Sequence, residues 1–521
     1  MKPIASISLS LTIAALLAAC TVGRNFQRPE LPPSSSYSAA APITGLPQSL
    51  QFGADIADDW YTLFRSDALN QLVRAALAEN PDLNGARHSL IAAQYELTAV
   101  AGTALPQIDA TGGFTRTHSG SVSAGSTPGL PPGAIDHFGN SGAFSWTSNQ
   151  MSIGPTLSYP LDVFGGLRRS IEAQAATTAA TRDQALNTYI TLVNQVVVNA
   201  FDYAASQAQV DATKDLIRDL QAQVDLSQRL ESAGKISRSD VLTAQSQLES
   251  TAATLPSLEK QHATYRNALA QLVGKTPGEF TPPALTLRDF TLPADVPVSL
   301  PSDLVQQRPD ILAAQDALHQ ASAAIGVAQA ARLPSLSLTA QMSQQAGKLS
   351  QIFAQGANGW SAGLNLAAPL FSGGSLKARS AEAKERYLEA VATYRATVLA
   401  AFADVGNALQ AIQFDTASYD AYTRSLETAA ANRDLAEQQY RAGKYNELRV
   451  LTAQQQYRSA VLSQVQADTQ RFTDTASLIR ALGGGWWNAP QDPSRLPDAA
   501  AVIFQSNATR ESRTAQETNH D

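Results

Sequence analysis

The chain of 521 residues has one cysteine, Cys20, so no disulfide can form within it. Charge is sparse: Asp, Glu, Lys and Arg make up 16% of the sequence, and the formal net charge is −7. Nucleic-acid binding draws its affinity from clustered Lys and Arg that release counterions. No such cluster is present, which excludes a nucleic-acid partner. Six histidines (His88, His118, His137, His262, His319, His520) stand at no metal-ligand spacing. HExxH, P-loop, GxSxG and GxGxxG motifs are missing. An enzyme, a cofactor and a resident metal therefore have no constellation to rest on. Beyond Cys20 no run of 18 consecutive apolar residues occurs, so the mature chain has no transmembrane helix.

What is present starts at the one cysteine. Met1 and Lys2 make a short n-region, residues 4–17 an apolar h-region, and Leu17-Ala18-Ala19-Cys20 a small-residue cleavage pattern. This stretch resembles a bacterial lipoprotein signal, in which residues 1–19 are removed and Cys20 becomes the lipidated N-terminus. Thr21 follows rather than Asp, and by that resemblance the protein is sorted to the outer membrane. Acyl chains anchor a protein without spanning the bilayer. Residues 20–57 carry Pro29, Pro32, Pro33, Pro42 and Pro47 without a sustained period and read as an extended leader.

The remainder is duplicated. Ala233-Gly234-Lys235 followed by Val241-Leu242-Thr243-Ala244-Gln245 returns 209 residues later as Ala442-Gly443-Lys444 and Val450-Leu451-Thr452-Ala453-Gln454. Asn80-Pro81-Asp82-Leu83 returns 228 residues later as Arg308-Pro309-Asp310-Ile311. The offset drops by 19 residues inside one strand-loop-strand unit, so the first surface loop is the longer one. Repeat 1 covers 58–274 and repeat 2 covers 302–485, joined by a Pro-rich connector at 275–301. Residues 486–521 form a polar tail, aperiodic and expected to be disordered from about residue 500.

Periodicity assigns the elements. Apolar spacing predicts an amphipathic helix over 58–79 and a second over 82–104. A long arm is expected over 166–233, and a return helix over 236–273 kinked at Pro256. Repeat 2 answers with 310–332 and a long helical hairpin over 375–482. An arm of 68 residues spans roughly 100 Å, several times an ordinary domain. Along the second arm Tyr387, Val391, Tyr394, Val398, Phe402, Val405, Leu409 and Ile412 form one narrow stripe, the pattern of a thin wall wetted on both sides. Between the helices the period changes to two, giving β-hairpins over 106–161 and 334–371. The Gly, Ser and Pro tract at 117–143 is expected to be a surface loop. Four strands of roughly 9 to 12 residues have the length and alternation of outer-membrane strands. Four cannot close a barrel, so two copies would pool 8 strands or three copies 12.

The chain resembles the TolC-like outer-membrane efflux proteins, in particular their NodT-type lipoprotein branch. The resemblance rests on residues 20–23, Asn80-Pro81-Asp82-Leu83, Leu161-Asp162-Val163-Phe164-Gly165, Arg308-Pro309-Asp310-Ile311, Pro334-Ser335-Leu336 and Ala481-Leu482-Gly483-Gly484-Gly485-Trp486. It implies a mainly α fold with a transmembrane β part: a homotrimer with a periplasmic helical tunnel and a 12-stranded barrel in outer-membrane lipid. It also implies a periplasmic adaptor and an inner-membrane pump as partners, and passive exit of small molecules such as drugs. An outlet for type I protein secretion shares this fold. A structural periplasmic coiled-coil lipoprotein is the alternative of another class, but it has no need of alternating strands.

A conduit needs a gate and a docking surface rather than a catalytic group. Both are expected at the duplicated turns. Relatives commonly place acids there, and a ring of them constricts a tunnel and favours cations. Here Asp240 is answered by Arg449, with Tyr445 and Glu447 nearby, so the gate candidates are a mixed ring rather than a double acidic one. As exposed helix ends the same pair would contribute only about 0 to 1 kcal/mol. Gly234, Lys235, Gly443 and Lys444 are candidates for adaptor docking, since an exposed glycine turn admits a close partner; simple helix termination also explains them.

Overall fold

The computed structural model describes residues 21–29, 48–122, 143–444 and 447–488. Residues 1–20, most of the leader, residues 123–142, where a surface loop is expected, Tyr445, Asn446 and the residues beyond 488 lie outside the described residues. The leader carries β1 (Ser49–Phe52), and repeat 1 contains α1 (Asp67–Glu79), α2 (Pro81–Gly102), β2 (Gln107–Val122), β3 (Ala143–Leu161), α3 (Gly166–Ser232), α4 (Arg238–Ala252) and α5 (Leu255–Leu272). The connector carries β4 (Asp295–Val298), and α6 (Pro301–Gln307) leads from its last residue into repeat 2. Repeat 2 follows with α7 (Pro309–Ala330), β5 (Ser335–Ala346), β6 (Asn358–Ala367), α8 (Ser375–Arg441) and α9 (Glu447–Ala481). The chain divides into two compact units, one built on the strands β2, β3, β5 and β6 and one on the helices.

In the first unit the hairpins of both repeats join into one antiparallel sheet of order β2-β3-β5-β6, with β3 and β5 at the seam. Gly154 allows that seam to close, because a Cβ there would overlap the carbonyl of Met342. β2 and β3 are longer than the alternation indicated, at 16 and 19 residues. Their ladder continues to Val122 and Ala143, through the tract expected to be loop. Antiparallel pairing satisfies backbone groups whatever the side chains are, so a ribbon can outrun its amphipathic pattern.

The helical unit contains most of the two arms. Each arm is a single helix of 67 residues, as the pattern required. Tyr394, Val398, Val405, Leu409 and Ile412 of the second arm are buried, which bears out the narrow stripe. Two expectations are corrected. Residues 58–79 are not one helix: a 3-10 turn at Trp60–Phe64 ends in Arg65 with φ 53°, and Ser66 then caps α1 by accepting from Leu69 N–H. The first return helix is not kinked but broken at Ala253 and Thr254, and Pro256 stands in the first turn of α5, where its missing N–H costs nothing. Val465 occupies the equivalent place in α9, which runs unbroken for 35 residues.

The connector and leader hold more order than composition indicated. β1 and β4 pair in parallel, Leu50 opposite Val296, and Gln48 donates to Pro293 O and to Thr475 Oγ1 of α9. Phe64 and Phe290 pack against Phe201 of α3 with ring centroids 4.9 and 4.8 Å apart, and Phe472 of α9 closes this aromatic core at 5.3 Å. The repeats are fastened alike. Asn80 Nδ2 donates to Leu272 O at 2.9 Å, and Arg308 Nη1 donates to Ala481 O at 3.1 Å. Both carbonyls are the last of a return helix, so α5 ends where α2 begins and α9 ends where α7 begins.

Candidate functional site

The two helical turns are built by the same rules. Gly234 and Gly443 take φ of 67° and 65°, a left-handed conformation that glycine adopts without a Cβ penalty. Gly234 N–H reaches Glu231 O and Lys235 N–H reaches Leu230 O; Gly443 N–H reaches Tyr440 O and Lys444 N–H reaches Gln439 O, all between 2.8 and 2.9 Å. This is the Schellman stop, which returns two donors to the last helical carbonyls. All four residues are exposed, and no atom lies within 4 Å of a Cβ placed on either glycine.

Past the first turn, Ser237 and Asp240 form a capping box. Ser237 Oγ accepts from Asp240 N–H, and Asp240 Oδ2 accepts from Ser237 N–H at 3.0 Å and from the Ser237 hydroxyl at 2.8 Å. The Asp240 carboxylate thus starts α4, a role in helix capping beside its place among the gate candidates. Arg449 lies exposed in the first turn of α9. Tyr445 is outside the described residues, and of Glu447 only the backbone is described.

The starts of α4 and α9 lie side by side and enclose a groove of about 380 Å³ lined by Ser239, Leu242, Thr243, Leu448, Leu451 and Thr452, among others. Neither Asp240 nor Arg449 lines it. Thr243 and Thr452 turn their hydroxyls back to Ser239 O and Leu448 O, at 2.9 and 2.8 Å, and so present methyl groups rather than free donors. Leu242 and Leu451 are sequence equivalents with different surroundings. Leu451 is buried against Leu216, Leu220 and Leu248, whereas Leu242 is 52% and Leu448 57% exposed. The signal for this groove was the duplicated Val-Leu-Thr-Ala-Gln block itself, but one sequence cannot tell which copy of a leucine is covered.

The sheet is the second candidate surface. Its register places the alternating apolar residues of all four strands on one face: Ile108, Ala110 and Phe114; Met151, Ile153, Leu157, Tyr159 and Leu161; Leu336, Leu338, Ala340 and Met342; Trp360, Ala362, Leu364 and Leu366. Trp360 is 82% exposed, as nothing among the described residues covers this face. The other face carries Gln107, Asp109, Thr111, Ser152, Thr156, Ser158, Ser337, Thr339, Gln341, Ser361 and Asn365. From the row of Leu161 and Leu336 to the row of Phe114 and Met151 the strands advance ten residues, about 34 Å along the strand, or about 26 Å in height at a tilt of about 40°. That equals the apolar band of an outer-membrane barrel, about 25 Å.

Cys20 is outside the described residues, but the segment after it is firmly held. Val22 N–H donates to Phe164 O at 3.0 Å, and the buried Arg169 guanidinium donates to Val22 O, Gly23 O and Asn25 Oδ1. Arg169 also pairs with Glu172 at 2.6 Å, Glu172 meets His319 Nε2 at 2.9 Å, and Phe26 stacks on the His319 ring. Burial opposes the charge on Glu172, but hydrogen bonds from His319 and Arg169 outweigh it and hold the carboxyl below its ordinary range. Phe164 and Gly165 follow β3 directly, so the leader is fixed where the apolar band ends.

Comparison with known proteins agrees with this architecture. Residues 72–275 and 300–484 match the family described as outer membrane efflux protein. The toluene efflux pump outer membrane protein TtgC of Pseudomonas putida is 31% identical over 488 residues, 92% of this chain and 96% of that one. The cation efflux system protein CusC of Escherichia coli is 28% identical over 485 residues, covering 92% and 98%. Among solved structures, the outer-membrane channel OprN superposes with a TM-score of 0.77 at 28% identity, over 90% of this chain and all of its own.

Proposed function

The chain belongs to the outer membrane efflux protein family, and from that premise we propose that three copies close one barrel and one tunnel as the passive exit duct of a tripartite efflux system. It is an outer-membrane channel of an efflux system. The trimer, the periplasmic adaptor and the inner-membrane pump are the proposal. The amphipathic sheet carries it: each chain ends in two unpaired edges, β2 and β6, and lipid tolerates none. The strands alternate in direction across the sheet, so β6 of one copy can pair antiparallel with β2 of the next. Relatives named for toluene and for a cation each align over 92% of this chain, which supports a duct that selects little and leaves the choice of small molecule to the pump.

Other features extend the reading. The leader held beside β3 keeps residue 21 at the edge of the apolar band, where acyl chains on Cys20 would enter lipid. Cleavage after residue 19 and lipidation of Cys20 fit that position. The groove at Leu242 and Leu448 offers a partner's helical tip an apolar floor, flanked by the open glycine turns at Gly234 and Gly443 and by Lys235 and Lys444. Asp240 and Arg449, with Glu447 and Tyr445, stand as the gate ring.

The edge pairing is tested with cysteines. Once Ala replaces Cys20 the chain has no other thiol, so one cysteine on β2 and one on β6 should cross-link only between copies. A ladder that stops at trimer, heat-labile without oxidation, is expected; bonds within single chains would refute the arrangement. Conductance tests the gate: Asp240→Asn keeps the cap acceptor and removes the charge, and Arg449→Ala removes its counterpart. If neither changes the current, the ring is not the gate.

A further inference from the structure

The sheet carries very little charge, and its placement is uneven. Asp109 is the only carboxylate on β2, β3, β5 and β6, and it lies on the polar face. Arg116 is the only Lys or Arg on those strands. It is two residues past Phe114 on β2, so it belongs to the apolar face, and it is exposed. Its cross-strand partner is Asn149. Arg116 therefore stands in the first row beyond the apolar band.

A second cation reaches the same row from another strand. Met151 pairs with Ala346, the last residue of β5, and the chain then bends at Gly347 and Lys348, the latter at φ −136° and ψ 145°. The bend stays beside β3, since a Cβ on Gly347 would lie 3.5 Å from Asn149 O, and the exposed Lys348 follows it directly. Arg116 and Lys348 thus flank Asn149, about two strand spacings or roughly 10 Å apart. His118, with Nδ1 2.9 Å from Thr147 Oγ1, occupies the next row on the same face.

This row lies toward the strand ends remote from the helices, because α2, α3, α7 and α8 all attach at the opposite strand ends. In an outer-membrane channel whose helices enter the periplasm, it lies at the outer leaflet. We propose that Arg116 and Lys348 form a site for the phosphorylated headgroup of an outer-leaflet lipid, repeated around the barrel in each copy. The inference rests on the outer-membrane reading. Cations on a lipid-facing surface, one row above the hydrocarbon, meet headgroup phosphates. The guanidinium can hold a phosphate with two parallel hydrogen bonds while the lysine neutralises a second charge as a point cation. Apolar side chains beneath the rim, Phe114 and Met151, receive the acyl chains of the same molecule.

The test uses the full-length protein in phosphatidylcholine nanodiscs doped with diphosphoryl lipid A, with retained lipid counted by native mass spectrometry. Wild type should keep lipid A in preference to its dephosphorylated form, and R116A/K348A should bind it about 30-fold more weakly. Asp109→Asn, on the polar face, should change nothing. Equal retention by wild type and R116A/K348A, or equal retention of phosphorylated and dephosphorylated lipid, overturns the proposal. Insertion is read separately: a wild type that does not enter nanodiscs at all would refute the membrane reading instead.

Discussion

Replacing Arg308 by Ala should loosen the end of α9 far more than replacing Asn80 by Ala loosens the end of α5. The two residues are equivalents in the repeats and donate to equivalent carbonyls, Ala481 O and Leu272 O. Arg308 does more than Asn80. Its guanidinium meets Asp310 at 2.5 and 3.0 Å, Asp404 at 3.2 Å and Ala401 O at 3.4 Å, and it is buried. Truncating one member of a buried ion pair costs about 3 to 5 kcal/mol. Here Asp310 and Asp404 keep 32% and 46% side-chain exposure and can rehydrate, which places the loss near the lower limit, about 3 kcal/mol. Asn80 contributes one neutral hydrogen bond and caps α2 by accepting from Leu83 N–H, together about 2 kcal/mol. Amide exchange at Leu482 and Gly484, whose N–H groups bond Leu478 O and Ile479 O, should accelerate about 100-fold in Arg308→Ala. For Asn80→Ala, Gly274 and Lys275 should accelerate about 30-fold. Arg308→Lys, which keeps charge but not the fork, should fall between wild type and Arg308→Ala. Equal effects in the two repeats, or acceleration spread evenly along α9, would refute the assignment of Arg308 as the stronger fastening.

Asp474 of α9 is buried, and burial together with the neighbouring Asp415 raises its pKa to about 7. The native chain then holds a proton that the unfolded chain releases from about pH 4 upward, so this contribution to stability is present below pH 4 and lost as pH rises through 7. Asp474→Asn should flatten the fall in thermal midpoint between pH 5 and 8; a parallel fall in wild type and variant would exclude Asp474 as its source. Gly274 has φ 75°, and a Cβ on it would overlap Glu79 O, so Gly274→Ala should cost about 3 kcal/mol from overlap and left-handed strain combined. Gly443→Ala meets no neighbour and should cost about 1 kcal/mol; thermal midpoints of the two variants in the opposite order would contradict this. Val for Pro256, its counterpart being Val465, restores a backbone donor. Circular dichroism should show no loss of helix, and any loss would mean that the break at Thr254 is needed elsewhere, as where Arg458 donates to the Thr254 hydroxyl at 2.7 Å.

Much of this was legible because duplication writes each feature twice. The 67-residue arms, the glycine stops and the four alternating strands follow from period and offset, and register then places every alternating apolar residue on one face. What escaped depends on partners distant in sequence. The pairing of Leu50 with Val296 joins two four-residue strands too short to show alternation. Asn80 and Arg308 match in place but not in chemistry, so their common task appears only when Leu272 and Ala481 are seen beside them. Asp240 was read for its charge, and its capping box with Ser237 became visible once the first turn of α4 was fixed in space. Leu242 and Leu451 carry the same letter, and only packing separates the covered copy from the open one.

Among the described residues the sheet of order β2-β3-β5-β6 closes on nothing of its own. A single copy that entered the bilayer would drag two rows of bare peptide groups into hydrocarbon, each unsatisfied group costing several kcal/mol. For the proposed trimer, folding of the strands, association of the copies and entry into the membrane are then one event, not three in succession. On the proposed reading each newly exported chain, anchored through Cys20, waits at the membrane surface with its greasiest face unspent until its fellows arrive. The edges that make a barrel possible also make a lone copy a hazard, and the rate of channel assembly should rise with the concentration of waiting chains more steeply than first order.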